Sequence, residues 1–182
     1  MRLKNTDTHF GSVAIGIHWI AALAIIGLFA SGLYMRSLSY YDSLYQVLPF
    51  YHKSIGVVLF LLILFRLFWR TINVHPAPLP NHSALEKTGA KLAHVGLYLL
   101  MLAVMISGYL ISTAKGKPID VFGLFELPAT LHGLDGQEDI AGMVHEYLAY
   151  SLIALAVLHA AGAIKHHVID KDKTLIRMLK TK

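Results

Sequence analysis

Residues 145–167 read HEYLAYSLIALAVLHAAGAIKHH, an apolar run with one imidazole, His145, near its start and another, His159, near its far end. Glu146 is the only acid between them. A helix needs roughly 20 predominantly apolar residues to cross the hydrocarbon of a bilayer, and the segment 143–164 meets that length. Working outward from it, three more segments qualify, at about 12–34, 51–69 and 92–113. The composition agrees. The chain has 182 residues, 55% of them hydrophobic and 15% charged, with a mean hydropathy of +0.56. A soluble domain carries about 25% charged residues. The expected fold is all-α, an integral membrane four-helix bundle forming a single transmembrane domain over 1–182. The first segment is too long for the apolar core of a secretory signal, and no small-x-small cleavage site precedes the return of charge, so it is expected to be retained. There is no cysteine, which excludes disulfides, cysteine-ligated zinc, iron–sulfur clusters and covalently attached c-type haem.

Charge placement sets the expected orientation. Lys and Arg gather at the N-terminus (Arg2, Lys4), in and beside the second connection (Arg66, Arg70, Lys87, Lys91) and in the tail (Lys165, Lys171, Lys173, Arg177, Lys180, Lys182). The first and third connections hold only Arg36, Lys53, Lys115 and Lys117. Basic residues concentrate on the cytoplasmic side of short loops, so both termini are expected inside. The basic tail then reads as a topology signal, and no recognition motif supports nucleic-acid binding.

Five histidines fall in or at the edge of the spanning segments: His18, His52, His94, His145 and His159. An ionisable group inside a membrane segment is costly and marks a functional site by default; the bland alternative is imidazole as interhelical hydrogen-bonding glue. Depth argues for the functional reading. With the N-terminus inside, His18 lies near the inner face, and His52 and His145 near the outer face. His159 follows His145 by 14 residues, roughly 21 Å deeper and within roughly 40° of the same helix face. The fourth helix thus offers one imidazole at each level, with His52 as the outer partner and His18 as the inner one. Two imidazoles from facing helices can ligate one haem iron, so the pairs predict two haem sites, His52 with His145 and His18 with His159. Small neighbours such as Ala14, Ala21, Gly56, Gly142, Ala149, Ala156 and Gly162 would give a flat macrocycle clearance, although small residues also let membrane helices approach one another.

The remaining candidates are open between two readings each. His94 either assists a haem propionate, quinone or proton, or is an interfacial residue without chemistry. Arg66 and Arg70 either pair with propionates or snorkel, with snorkelling favoured for Arg70. Lys115 and Lys117 either draw an anion such as superoxide or a propionate toward the outer haem, or are solvated. The Tyr-rich first connection, with Tyr40, Tyr41, Tyr45 and Tyr51, suits an interfacial belt. The second, with Pro76, Pro78 and Pro80, is expected to be extended. The long third connection, about 114–142, is either a substrate site or a simple lid, and its VFGLF segment (121–125) is expected to pack on the rim or dip into the interface. His9, His75, His82 and His132 read as loop residues, His166 and His167 as interfacial.

The segments GIHWIAAL (16–23), HKSIGVVLFLLILFRLFWR (52–70), LAHVGLYLLMLAVMISGYLIS (92–112) and HEYLAYSLIALAVLHAAGAIKHHVIDKDKTLIRML (145–179) together resemble the bacterial cytochrome b561 family over nearly the whole chain. The resemblance implies four helices, two non-covalent b-type haems and ligands at His18, His52, His145 and His159, the four already reached from depth. It also implies electron exchange with the quinone pool of the bacterial inner membrane, and some members are superoxide:ubiquinone oxidoreductases. The electron donor, superoxide or a redox protein, stays open, as does a role as haem-carrying anchor subunit of a larger dehydrogenase. A histidine-relay proton or cation transporter would want acids in mid-helix, which the spans lack. A non-haem di-iron enzyme would want clustered histidine boxes, whereas these histidines are split between two depths.

Overall fold

The computed structural model describes residues 2–79 and 82–181; Pro80 and Lys182, named above, lie outside the described residues. Four long helices carry the chain: α1 (Ser12–Met35), α2 (Val47–Ile72), α3 (Ala84–Thr113) and α4 (Gln137–Val168). A two-stranded hairpin, β1 (Ile119–Val121) and β2 (Phe125–Leu127), lies between α3 and α4, and a single 3-10 turn (Ile176–Met178) follows α4. All four helices are long and apolar enough to cross a membrane. The fold class is therefore the expected one, an all-α membrane protein. The apolar surface is largely turned outward, with Leu23 68% and Leu158 68% exposed, which is tolerable only where lipid replaces water.

Each helix is longer than the apolar run that announced it, by a single residue in α1, and in α3 and α4 because polar turns continue them past the hydrocarbon length. α3 begins eight residues earlier than the apolar run, at a capping box. The Ser83 hydroxyl accepts from Glu86 N–H at 3.2 Å, and the Glu86 carboxylate accepts from Ser83 N–H at 2.9 Å. α4 begins just after Gly136, whose φ of +67° suits a residue without a side chain. His94, His145 and Glu146 consequently stand well inside their helices rather than at the ends.

The chain forms two compact units, each built from a stretch of every long helix. The first comprises 1–22, 62–98 and 154–182. Its N-terminal segment, second connection and tail are tied together by polar contacts. Asn5 donates from Nδ2 to Val74 O at 2.9 Å, Ala77 N–H to Asp7 O at 2.8 Å, Arg177 to Ala77 O at 2.9 Å and Trp19 Nε1–H to Met178 O at 2.7 Å. Ile17, Ala21 and Ile63 are its buried apolar residues.

The second unit comprises 23–61 and 99–153. It buries Leu59, Met101, Ala141 and Leu152, together with Ile119 and Val121 of the hairpin. The hairpin pairs Ile119 with Leu127, Asp120 with Glu126 and Val121 with Phe125. Its turn is reached through Phe122 (φ +56°) and Gly123 (φ +69°). Ser54 of α2, fully buried, donates to Asp120 O at 3.3 Å and accepts from Phe122 N–H at 3.2 Å. The third connection is thus docked on the unit, as the apolar VFGLF segment requires, through strands that the sequence reading did not include.

Candidate functional site

Each unit brings intramembrane histidines together. In the second unit the His52 and His145 rings have centroids 6.3 Å apart, and in the first the His18 and His159 rings have the same separation, 6.3 Å. Imidazoles on opposite sides of one metal ion, with nitrogen–metal bonds of about 2.0 Å and each nitrogen roughly 1.1 Å from its ring centre, stand roughly 6 Å apart. Both pairs fit that geometry. His94 also reaches the first unit's pair, its centroid 5.1 Å from that of His159, too close for the two to face each other across an ion. His94 is thus a neighbour of His159 rather than an isolated interfacial residue.

In the second unit the two rings are held in one tautomer. The Ser31 hydroxyl lies 2.9 Å from both Leu28 O and His52 Nδ1. With its proton given to Leu28 O, it accepts from His52 Nδ1–H, the tautomer that leaves Nε2 bare. His145 Nδ1 lies 2.8 Å from Val104 O and 3.2 Å from the Ser107 hydroxyl. A carbonyl accepts only, so this Nδ1 carries the proton too. Both rings then present a bare Nε2, the form a metal ligand needs, with the outer hydrogen bond that fixes ring orientation already in place.

The residues that do this come from a repeated Ser–Gly pair, in FASGLY (29–34) and MISGYL (105–110). Each serine meets an imidazole Nδ1, and each following glycine faces that ring, with a close approach at Gly108. A Cβ added at Gly32 would lie 3.6 Å from His52 Cε1; one added at Gly108 would lie 3.1 Å from His145 Cε1. A serine–glycine step in two apolar helices is the signal by which these residues can be found in the sequence.

The same two histidines line an open cavity of about 830 Å³ within this unit. Its walls are mostly apolar, with Leu28, Phe29, Phe60, Met105 and Ile153 among them, and Ile119 and Leu127 of the hairpin contribute. The volume is in the range of cofactor and ligand sites, about 300–1,000 Å³. Arg36, Lys53 and Glu146 also line it, and Arg36 is ion-paired to Glu146. Lys115 lies elsewhere, in an exposed ion pair with Glu138 at 2.7 Å, and Lys117 is exposed and absent from the walls. The basic groups at this cavity are Arg36 and Lys53.

The first unit is set differently. Arg66 donates from Nη2 to His18 Nδ1 at 3.1 Å. Guanidinium has no acceptor, so His18 Nδ1 accepts, and the neutral ring's proton sits on Nε2. Arg66 must turn away before His18 can offer that nitrogen to a metal. Its guanidinium also lies 5.6 Å from the centre of the Tyr98 ring.

Comparison with known proteins adds the following. The family model described as prokaryotic cytochrome b561 matches residues 9–181. Cytochrome b561 homolog 2 of Escherichia coli K12 is 49% identical over 179 residues, covering 98% of this chain and 95% of its own length. Cytochrome b561 homolog 1 of the same organism is 27% identical over 170 residues, covering 93% and 96%. A protein of Yersinia pestis named probable superoxide oxidase CybB is 29% identical over 177 residues, covering 95% and 97%.

Proposed function

The chain belongs to the prokaryotic cytochrome b561 family, and from that premise we propose that it is a multi-pass di-haem cytochrome of the bacterial inner membrane that exchanges electrons with the quinone pool. In this reading 1–182 act as one cytochrome domain. His52 and His145 hold one non-covalent b-type haem, and His18 and His159 hold the other. The observation that carries it is the pair of facing imidazoles repeated in two units at the same 6.3 Å separation.

Haem supplies reversible one-electron oxidation and reduction at its iron; the protein's residues supply the rest. Each histidine pair would hold its iron through two imidazoles, which would leave no iron site open to a donor. Ser31 and Val104 O hold His52 and His145 with Nδ1 protonated, which raises the basicity of Nε2. The apolar walls around that pair keep water away and lower the local dielectric. Arg66 is the cation suited to the carboxylates of the other haem, and leaving His18 for them would free that ring to ligate. Arg36 and Lys53 stand where an anionic donor would approach the His52–His145 pair. Superoxide as that donor rests on the name of the Yersinia relative. The distribution of Lys and Arg supports both termini on the cytoplasmic side.

The test is an anaerobic single-turnover measurement on purified, haem-loaded protein. Oxidised protein mixed with a ubiquinol should gain the reduced b-type spectrum, and reduced protein mixed with a ubiquinone should lose it. Failure of both exchanges, with haem present, refutes the quinone assignment.

A further inference from the structure

Outside the intramembrane pairs, a second group of donor atoms converges within the first unit. His82 precedes α3, His166 lies in the last turn of α4, and Asp172 follows α4. One donor atom from each lies within 4.8 Å of the other two. His82 Nε2 is 2.8 Å from Asp172 Oδ2, and His166 Nδ1 is 3.3 Å from the same oxygen. The two rings are stacked, centroids 4.3 Å apart and inclined by 28°. We propose that His82, His166 and Asp172 form a binding site for a divalent first-row transition metal, separate from the haem ligands.

Three features support a site rather than a chance ion pair. First, the donors are shielded: the side chains of His82, His166 and Asp172 are 15%, 15% and 6% exposed. Second, His166 Nδ1 is buried and makes no hydrogen bond, although it lies 2.7 Å from Asp170 Oδ2 and 3.3 Å from Asp172 Oδ2. A buried ring nitrogen that meets its nearest carboxylates outside hydrogen-bonding geometry is poorly satisfied, and a cation shared with the Asp172 oxygen would satisfy it. Third, the carboxylate is arranged for the task. Asp172 Oδ1 accepts from Thr174 N–H at 2.7 Å, which fixes the group and leaves Oδ2 toward both imidazoles.

Of the neighbouring acids, Asp170 also approaches His166 Nδ1, at 2.7 Å, but it and Glu86 share a lysine. Lys165 Nζ is bound to Glu86 Oε1 at 2.6 Å and to Asp170 Oδ2 at 2.7 Å, so those two carboxylates already hold a cation. The donor set of two imidazoles and one carboxylate, with no thiolate, suits zinc, nickel or ferrous iron rather than calcium or magnesium. A bound ion would join the start of α3, the end of α4 and the segment after it.

The test uses full-length, haem-loaded protein purified without a polyhistidine tag and stripped with a chelator. Zinc bound after equilibrium dialysis is counted by mass spectrometry, apart from haem iron. The wild type should take one zinc per chain. His82→Ala and Asp172→Asn should each weaken binding by roughly tenfold or more, with haem content unchanged, while His132→Ala should match the wild type. If Asp172→Asn loses haem and so fails the folding control, His82→Ala alone decides. Absence of stoichiometric zinc in the wild type, or equal binding by the wild type and the well-folded variants, overturns the site.

Discussion

Gly108→Ala is the sharpest test of how the protein holds one of its histidine pairs. The added Cβ would stand 3.1 Å from His145 Cε1 and 3.3 Å from its Nδ1, whereas non-bonded carbon atoms prefer about 3.5–4.0 Å. The ring must therefore give way by about 0.4 Å or more, close to the tolerance of about 0.5 Å within which a ligand site still works. The movement is resisted by the 2.8 Å contact of Nδ1 with Val104 O. Losing that bond costs about 0.5–1.5 kcal/mol, or roughly a two- to tenfold drop in haem affinity at this pair. Helix stability moves the other way, since alanine is favoured over glycine in a helix by about 1 kcal/mol. The expected variant thus folds at least as well as the wild type but loads less haem when haem is limiting. Gly32→Ala is the matched control, because its Cβ would make an ordinary 3.6 Å contact with His52 Cε1. Haem titration into apoprotein, followed by absorbance, reads both. Wild-type affinity in Gly108→Ala, or an equal loss in both variants, would refute the reasoning.

Three further outcomes are expected. His94→Ala should leave the haem-to-polypeptide ratio unchanged, since its ring stands too close to His159 to be the opposing ligand; a lost haem would make His94, not His18, the partner. Arg66→Gln should lower the midpoint potential of the haem held by His18 and His159, because a buried cation favours the reduced iron; a spectroelectrochemical titration with neither component lowered would contradict that placement. Ser54→Ala should leave Phe122 N–H and Asp120 O without their shared partner, at a cost of about 1–3 kcal/mol. It should show as faster tryptic cleavage after Lys115, and unchanged cleavage would mean that the hairpin is held by other contacts.

The histidine pairing was legible in the sequence because helix geometry is regular. Fourteen residues separate His145 from His159, which puts both on one face at two depths, and the structure brings each beside the partner expected of it. The start of α3 was also readable, since Ser83 and Glu86 carry the capping-box spacing, but hydropathy alone begins the span eight residues later. The hairpin was hidden for a physical reason. Strands of three residues have no periodicity to detect, and their pairing depends on Ser54, 66 residues before Asp120 in the chain. The nearness of His94 to His159, and of His82 to His166, depends on how helices rotate against one another, which spacing within one helix does not fix.

The haem-to-polypeptide ratio of detergent-purified protein, measured for the wild type, His145→Ala and His159→Ala, tests the central claim most directly. Two b-type haems in the wild type and one in each variant is the predicted result. A wild type without haem, or either variant with an undiminished ratio, would contradict it.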